Sequence, residues 1–166
     1  MSVLTVTREG AVLTMTLTHP PLNILTCDAM QQLARACAGV AAGDRLVVVR
    51  GAGKHFSAGA DIGEHMPEQA PRLLETLQAC FEALHAVPIP TLAVVRGACM
   101  GAGLELAAAC DLMLTAEEAK LGVPEISLGV FPPIAAVDLP ARIGSARAAD
   151  LVFTGRTIDG RTAAAW

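Results

Sequence analysis

Residues 96–111 read RGACMGAGLELAAACD, and this segment gives the strongest indication of the fold. The apolar run before it, residues 91–95, predicts a buried strand, and the small residues from Gly101 onward predict a tight turn into a helix. Strands that alternate with helices in this way are typical of the α/β class. Leu106 stands where a third glycine would complete a dinucleotide-binding fingerprint, so that kind of site is not predicted.

A second junction of the same design occupies residues 56–62, which read FSAGADI. Its small side chains would let a ligand approach the main chain, as those of the first junction would. Two backbone N–H groups that converge on one oxygen from such turns would form an oxyanion hole. Glycine and alanine in these turns are equally typical of tight packing without catalysis, and the residues alone leave both interpretations open.

The rest of the chain alternates strand and helix patterns, which predicts an α/β fold. Residues 3–7 and 12–18 alternate apolar residues with threonine, which predicts a hairpin with its turn at 8–10. Thr26 or Asp28 can cap one helix, Pro71 can open another, and Asp159 can cap a last one. We expect one domain over residues 1–166. Further strands are predicted at 46–49 and 112–115, further helices from about 135 and 145, and the buried face of the Pro71 helix at Leu73, Leu74, Leu77, Phe81 and Leu84.

Composition excludes several classes of function. Hydrophobic residues make up 53% of the chain and charged residues 17%, which excludes a disordered protein. The net charge is −4 without a basic run, so no nucleic-acid partner is expected. No apolar run is long enough for a membrane span, and residues 1–17 lack the pattern of a secretory signal. Five cysteines without a C-x-x-C pair and four histidines without ligand spacing predict reduced thiols, a cytoplasmic location and no metal site.

Three motifs together resemble the enoyl-CoA hydratase/isomerase (crotonase) superfamily. Residues 56–62 are similar to its F-[SC]-A-G-x-D-[IL] loop, and residues 96–111 to its N-G-x-x-x-G-G-G-x-E-L-x-x-x-C-D signature. GVPEISLG, at residues 122–129, is similar to the G-x-P-E-x-x-L-G that follows in the family. The motifs occur in the family's order and spacing, and the resemblance runs from the first hairpin to Trp166.

The resemblance implies a fold, a substrate class and a site. The fold is a crotonase-like spiral of β-β-α units, assembled as a homotrimer or homohexamer, and the substrate is an acyl-CoA thioester, with no separate cofactor. The backbone N–H groups of Ala60 and Ala102 would form the oxyanion hole. The residues expected to contact the substrate or its CoA moiety are Leu22, Ile24, Ala58, Ala60, Asp61, Ile62, Gly63, Gly101 and Phe131.

Glu105 and Glu125 fall on the two acid/base glutamates of the hydratases, at the family's spacing. Taken alone, Glu105 could cap its own helix, and Glu125 could be an ordinary loop acid after a proline. Leu104 and Leu106 flank Glu105, so burial there would raise the pKa of its carboxyl. A carboxyl that titrates near neutrality suits proton transfer at pH 7.

The chain departs from the family pattern in three places, of which the last, the loop at 131–136, most affects substrate choice. Ala102 replaces the middle glycine of the G-G-G turn, which keeps the N–H but adds a methyl group, and Arg96 replaces asparagine. FPPIAA, at residues 131–136, replaces a glycine-rich loop and is slightly shorter. Residues 120–131 are similar to the branch that hydrates cyclohexa-1,5-diene-1-carbonyl-CoA, and we take that branch as a hypothesis.

Two other functions stay open at this point. A double-bond isomerase, a hydrolase or a dehalogenase of the same family is one alternative, although the presence of both glutamates favours hydration. A non-catalytic scaffold or RNA-binding member of the fold is another, and the acidic balance argues against RNA. The helix that Asp159 begins has no C-cap signal before Trp166, so we expect the family's C-terminal helical region to be missing from this chain.

Overall fold

The computed structural model describes residues 2–166, and residue 1 of the expected domain lies outside them. Over this range the strands are β1 (Leu4–Glu9), β2 (Val12–Leu17), β3 (Leu46–Gly51), β4 (Thr91–Val95), β5 (Ala98–Met100), β6 (Leu112–Thr115), β7 (Lys120–Gly122) and β8 (Thr157–Asp159). The α-helices are α1 (Cys27–Ala38), α2 (Ala70–His85), α3 (Ala102–Ala109), α4 (Ala135–Ile143), α5 (Ser145–Thr154) and α6 (Gly160–Ala165). A first 3₁₀ helix spans Gly63–His65 and a second spans Pro124–Leu128.

The strands form two sheets. The larger sheet has the order β1-β2-β3-β4-β6, in which the β1–β2 hairpin is antiparallel and every later pair is parallel. The smaller sheet has the order β5-β7-β8, with β5 parallel to β7 and β7 antiparallel to β8. The chain passes from one sheet to the other between β4 and β5, through Gly97 at φ +57°.

Successive turns of the chain repeat a β-β-α order, which confirms the expected α/β spiral. The orders β1-β2-α1 and β4-β5-α3 are complete turns. In the turn between them, β3 leads to α2, and an isolated bridge from Ser57 to Cys99 takes the place of a second strand. Parallel strands with helical crossovers bring their following loops to one edge of the sheet, where sites in such folds are found.

Apolar faces of α1 and α2 cover the core, as the helical periodicity predicts. Met30, Leu33 and Cys37 of α1 are buried, and Leu73, Leu77, Phe81 and Leu84 of α2 are buried as well. Thr26 and Asp159 cap α1 and α6 through their side-chain oxygens, which confirms both predicted caps. The prediction for Leu74 was wrong, because its side chain is 55% exposed and lies on the other side of α2.

Three short strands depart from the predicted pattern. β5, β7 and β8 have three residues each, which is too few to show the alternation that marks a strand in a sequence. The hairpin turn was predicted at residues 8–10 but lies at residues 10–11. Arg8 pairs with Leu13 and Glu9 pairs with Val12, so β1 extends further than predicted. Within residues 2–166, no helix combines the length and the hydropathy that crossing a membrane would require.

Candidate active site

One cleft of about 1150 Å³ collects all the residues that the sequence singled out. Its walls come from α2 and the first 3₁₀ helix, from the start of α3, and from the second 3₁₀ helix with the loop after it. The sequence-predicted residues that line it are Leu22, Ile24, Ala58, Ala60, Asp61, Ile62, Gly63, Gly101, Ala102, Glu105, Glu125 and Phe131.

Two glycine-rich turns meet at the floor of the cleft. Gly59 has φ +104°, and a Cβ there would lie 3.0 Å from the carbonyl oxygen of Met100 and 3.6 Å from the amide nitrogen of Ala102. Only glycine allows the two turns to approach this closely. Among the hydrogen bonds of residues 2–166, the amides of Ala60 and Ala102 have no acceptor, so both can donate to a ligand.

Glu105 lies on α3 and is 2% exposed. The backbone amides of Ile134 and Ala135 donate to its Oε1 at 2.9 and 2.8 Å. Burial raises the pKa of Glu105 to about 7, the two amides oppose that rise, and the charges of Glu125 and Asp138 add to it. The carboxyl therefore serves as a cap for α4, whereas the sequence offered a cap of its own helix. The N-cap of α3 is Gly101, which has no side chain to cap it.

Glu125 lies on the second 3₁₀ helix, not in the loop that its sequence context indicates. A Cβ on Gly101, which has φ +53°, would lie 2.7 Å from Glu125 Oε1, so glycine at that position makes room for the carboxylate. Glu125 Oε2 is buried without a hydrogen-bond partner in the described part of the chain. Burial raises the pKa of Glu125, a backbone contact opposes it, and the charge of His65 opposes it further.

Asp61 and His65 belong to the rim of the cleft. Asp61 Oδ1 accepts from the amides of Gly63 and Glu64 at 2.7 and 3.3 Å, so its carboxylate caps the first 3₁₀ helix. His65 Nδ1 lies 2.7 Å from the carbonyl oxygen of Asp61. Because a carbonyl can only accept, Nδ1 carries a proton in this contact.

Several lining residues carry no signal in the sequence. Leu73, Leu74 and Leu77 of α2 form an apolar wall, although helical periodicity assigns all three to the core. His65 also lines the cleft, and its only mark in the sequence is its position just after the Ala60–Gly63 motif. Both cases depend on the path of the chain, which brings α2 back over the turns that precede it.

The chemistry available in the cleft follows from these groups. Two amides that have no acceptor among residues 2–166 can bind an oxygen that gains negative charge, and two carboxyls whose pKa values are raised by burial can exchange protons with a bound ligand. In the described residues, no group of three histidine, cysteine, aspartate or glutamate side chains is placed to hold a metal ion.

Known proteins with similar sequences and structures share this family. A profile of the enoyl-CoA hydratase/isomerase family matches residues 7–166. The chain is 43% identical over 155 residues to the cyclohexa-1,5-dienecarbonyl-CoA hydratase of Thauera aromatica, covering 92% of this chain and 60% of that protein. It is 36% identical over 170 residues to a probable enoyl-CoA hydratase of Bacillus subtilis, covering 98% of this chain and 66% of that protein.

A solved structure agrees. An enoyl-CoA hydratase/carnithine racemase from Magnetospirillum magneticum superimposes with a TM-score of 0.92 at 36% identity, over 99% of this chain and 66% of that one. The chain thus spans 60% and 66% of the length of the two curated relatives described above. From its sequence motifs, its fold and these similarities, the chain belongs to the enoyl-CoA hydratase/isomerase family.

Proposed function

We propose that this chain adds water across the conjugated double bond of an enoyl-CoA thioester. The observation that carries the proposal is that two amides without an acceptor among residues 2–166, those of Ala60 and Ala102, meet the buried Glu105 and the partly buried Glu125 in one cleft. A hydratase needs both kinds of group, because it must stabilise an enolate and move two protons.

The amides act on the thioester carbonyl. Hydrogen bonds from Ala60 and Ala102 to the carbonyl oxygen polarise the conjugated system and stabilise the negative charge that the oxygen gains as water adds. One such donor is worth about 10²–10³-fold in rate. Because both donors are backbone groups, side-chain substitution at Ala60 or Ala102 would change the room for the thioester without removing the donor.

The carboxyls act on the water and on the substrate carbon. A water held by Glu105 and Glu125 loses a proton to the ionised carboxylate while its oxygen bonds to the β-carbon. The other carboxyl, in its protonated form, gives its proton to the α-carbon, and the enolate returns to a thioester. The product carries one added hydrogen and one added hydroxyl, and each proton transfer is worth about 10²–10⁴-fold.

For the acyl group we propose a cyclic dienoyl thioester. The relative from Thauera aromatica is a cyclohexa-1,5-dienecarbonyl-CoA hydratase, and it shares 43% of its aligned residues with this chain. Phe131, Pro132 and Pro133 line the cleft, and the side chain of Phe131 is 63% exposed. An aromatic face beside two rigid prolines fits a flat ring better than a flexible chain, since apolar contact grows with matched area.

A double-bond isomerase is the second candidate. A carboxyl with a pKa of about 7, such as Glu105, is half protonated near neutral pH, so one group can both remove a proton and return it elsewhere. Isomerisation would leave the mass of the substrate unchanged, whereas hydration adds the mass of one water.

Incubation with two substrates tests these proposals. We expect cyclohexa-1,5-diene-1-carbonyl-CoA to lose its conjugated thioester absorbance faster than crotonyl-CoA, with a product heavier by one water. A product of unchanged mass would replace hydration with isomerisation. Faster turnover of crotonyl-CoA would overturn the cyclic substrate while leaving hydration in place.

A further inference from the structure

Two carboxyls share the N-terminus of α4. Glu105 reaches it from α3 and accepts from the amides of Ile134 and Ala135, as described above. Asp138 lies in the first turn of α4 itself. A helix N-terminus carries a partial positive charge of roughly half an elementary charge, which favours one carboxylate strongly and a second one less.

Asp138 also lies close to a histidine of α2. Its Oδ2 is buried without a hydrogen-bond partner among residues 2–166 and lies 3.7 Å from Nε2 of His85. His85 is the last residue of α2, and its side chain is 50% exposed. An imidazole open to solvent therefore faces a carboxylate whose own helix holds Glu105.

The signs of these charges fix the direction of the coupling. The charge of Asp138 disfavours ionisation of Glu105, and Glu125 acts on Glu105 in the same direction. A protonated His85 neutralises part of the charge of Asp138 and so favours ionisation of Glu105. Among the described residues, Glu125 on the second 3₁₀ helix acts on Glu105, and His85 at the end of α2 lies beside Asp138. Arg142 follows Asp138 by four positions on α4, with its guanidinium bound to the carbonyl oxygens of Cys110 and Asp111.

Resting on the proposed hydration, we propose that Asp138 and His85 are positioning residues for Glu105. Asp138 places a negative charge in the first turn of the helix whose amides hold Glu105, and this charge favours the protonated form of Glu105. His85, beside Asp138, offsets that charge when its ring carries a proton. Neither residue lines the cleft, so both act on the reaction only through Glu105.

Direct titration of the Glu105 carboxyl tests the proposal without any substrate. Protein with ¹³C-labelled glutamate carboxyls gives a Glu105 resonance, assigned by its loss in Glu105→Gln. We expect Asp138→Asn to lower the Glu105 midpoint by on the order of half a pH unit. Glu117→Gln is the matched control, because it also removes one negative charge, and Glu117 is an exposed partner of Arg161 away from the cleft.

A variant of His85 provides the second measurement in this titration. We expect His85→Gln to raise the Glu105 midpoint by a smaller amount, and to have no further effect once Asp138→Asn is present. The pH profile of kcat/KM should move with the same midpoint, which a merely structural role would leave in place.

The outcomes separate the two proposals. A Glu105 midpoint that Asp138→Asn leaves unchanged, or that Glu117→Gln shifts equally, would overturn the positioning role. A protein that shows the expected midpoints but never hydrates an enoyl-CoA would support the coupling and overturn the proposed hydration.

Discussion

The two glutamates of the cleft are held in two differently built regions. Glu105 is fixed from outside its own helix, since two amides at the start of α4 donate to one of its oxygens. Glu125 sits on a short 3₁₀ helix, with one oxygen against Gly101 and the other buried without a partner in the described residues. Burial raises both pKa values, but among the described residues only Glu105 accepts hydrogen bonds from another helix. Glu105 is thus held in place by two backbone donors, whereas Glu125 keeps an oxygen that has no donor among residues 2–166.

The largest expected effect is on turnover, and it should be shared by both glutamates. We expect Glu105→Gln and Glu125→Gln each to lower kcat for hydration by at least about 100-fold, because each removes one of two proton transfers. Steady-state assays with the cyclic dienoyl thioester measure the loss, and circular dichroism checks that the fold is retained. Near-normal turnover by either variant would remove that glutamate from the mechanism.

The pH dependence of stability should separate Glu105 from ordinary surface acids. Its pKa is about 7 in the folded chain and near 4.5 when unfolded, so the folded state binds more protons between these values. The free energy of unfolding should therefore fall as pH rises through this window, by on the order of 3 kcal/mol from Glu105. Urea unfolding at about pH 5 and about pH 8 measures it.

A matched variant makes that measurement specific. Glu105→Gln keeps an oxygen for the amides of α4 but cannot ionise, so it should flatten the dependence, whereas Glu117→Gln should not. A slope that survives Glu105→Gln would assign the pH dependence to other groups, of which Glu125 is the first to test, because burial raises its pKa as well.

The smallest expected effect distinguishes the anchored carboxyl from the unanchored one. Glu105→Ala leaves the amides of Ile134 and Ala135 without their acceptor, and an orphaned buried N–H costs about 1–3 kcal/mol. Glu125→Ala removes an oxygen that already lacks a partner, so it should cost less. We expect the free energy of unfolding at neutral pH to be about 2 kcal/mol lower in Glu105→Ala than in Glu125→Ala. Equal stabilities would mean that the α4 amides do not anchor Glu105.

Local patterns in the sequence predicted the longer elements and missed the three-residue strands. The twelve-residue α1 begins at a capping threonine, the sixteen-residue α2 begins next to Pro71, and both helices have an apolar stripe that can be found in the sequence. By contrast, β5, β7 and β8 are strands because of the segments that pair with them. Leu74 shows the same limit within α2, because periodicity marks it as apolar but not whether it faces the core or a cleft.

In the candidate site, too, some features could be predicted from the sequence and others could not. The motifs around Ala60 and Ala102 and the spacing of the two glutamates predicted which residues would meet in the cleft. The bonds from Ile134 and Ala135 to Glu105 could not be predicted, because their donors are backbone amides, which every residue except proline carries. His65 and Asp138 were not predicted, because neither belongs to a motif. The sequence does not show that His65 lines the cleft or that Asp138 lies beside His85.

The loop that follows Glu125, at residues 129–134, shows how the substrate of such a cleft can change during evolution. At its start, the Val130 amide donates to the Glu125 carbonyl at 3.2 Å, and at its end the amides of Ile134 and Ala135 hold Glu105. Between these two sets of hydrogen bonds lie Phe131, Pro132 and Pro133, which line the cleft. Under the proposed function, replacements at these three positions would reshape the acyl side of the cleft and leave the contacts of both glutamates in place, whereas an insertion next to Val130 or Ile134 would disturb one of those contacts. The same short segment would then determine the range of substrates at its centre and hold the two carboxyls at its ends.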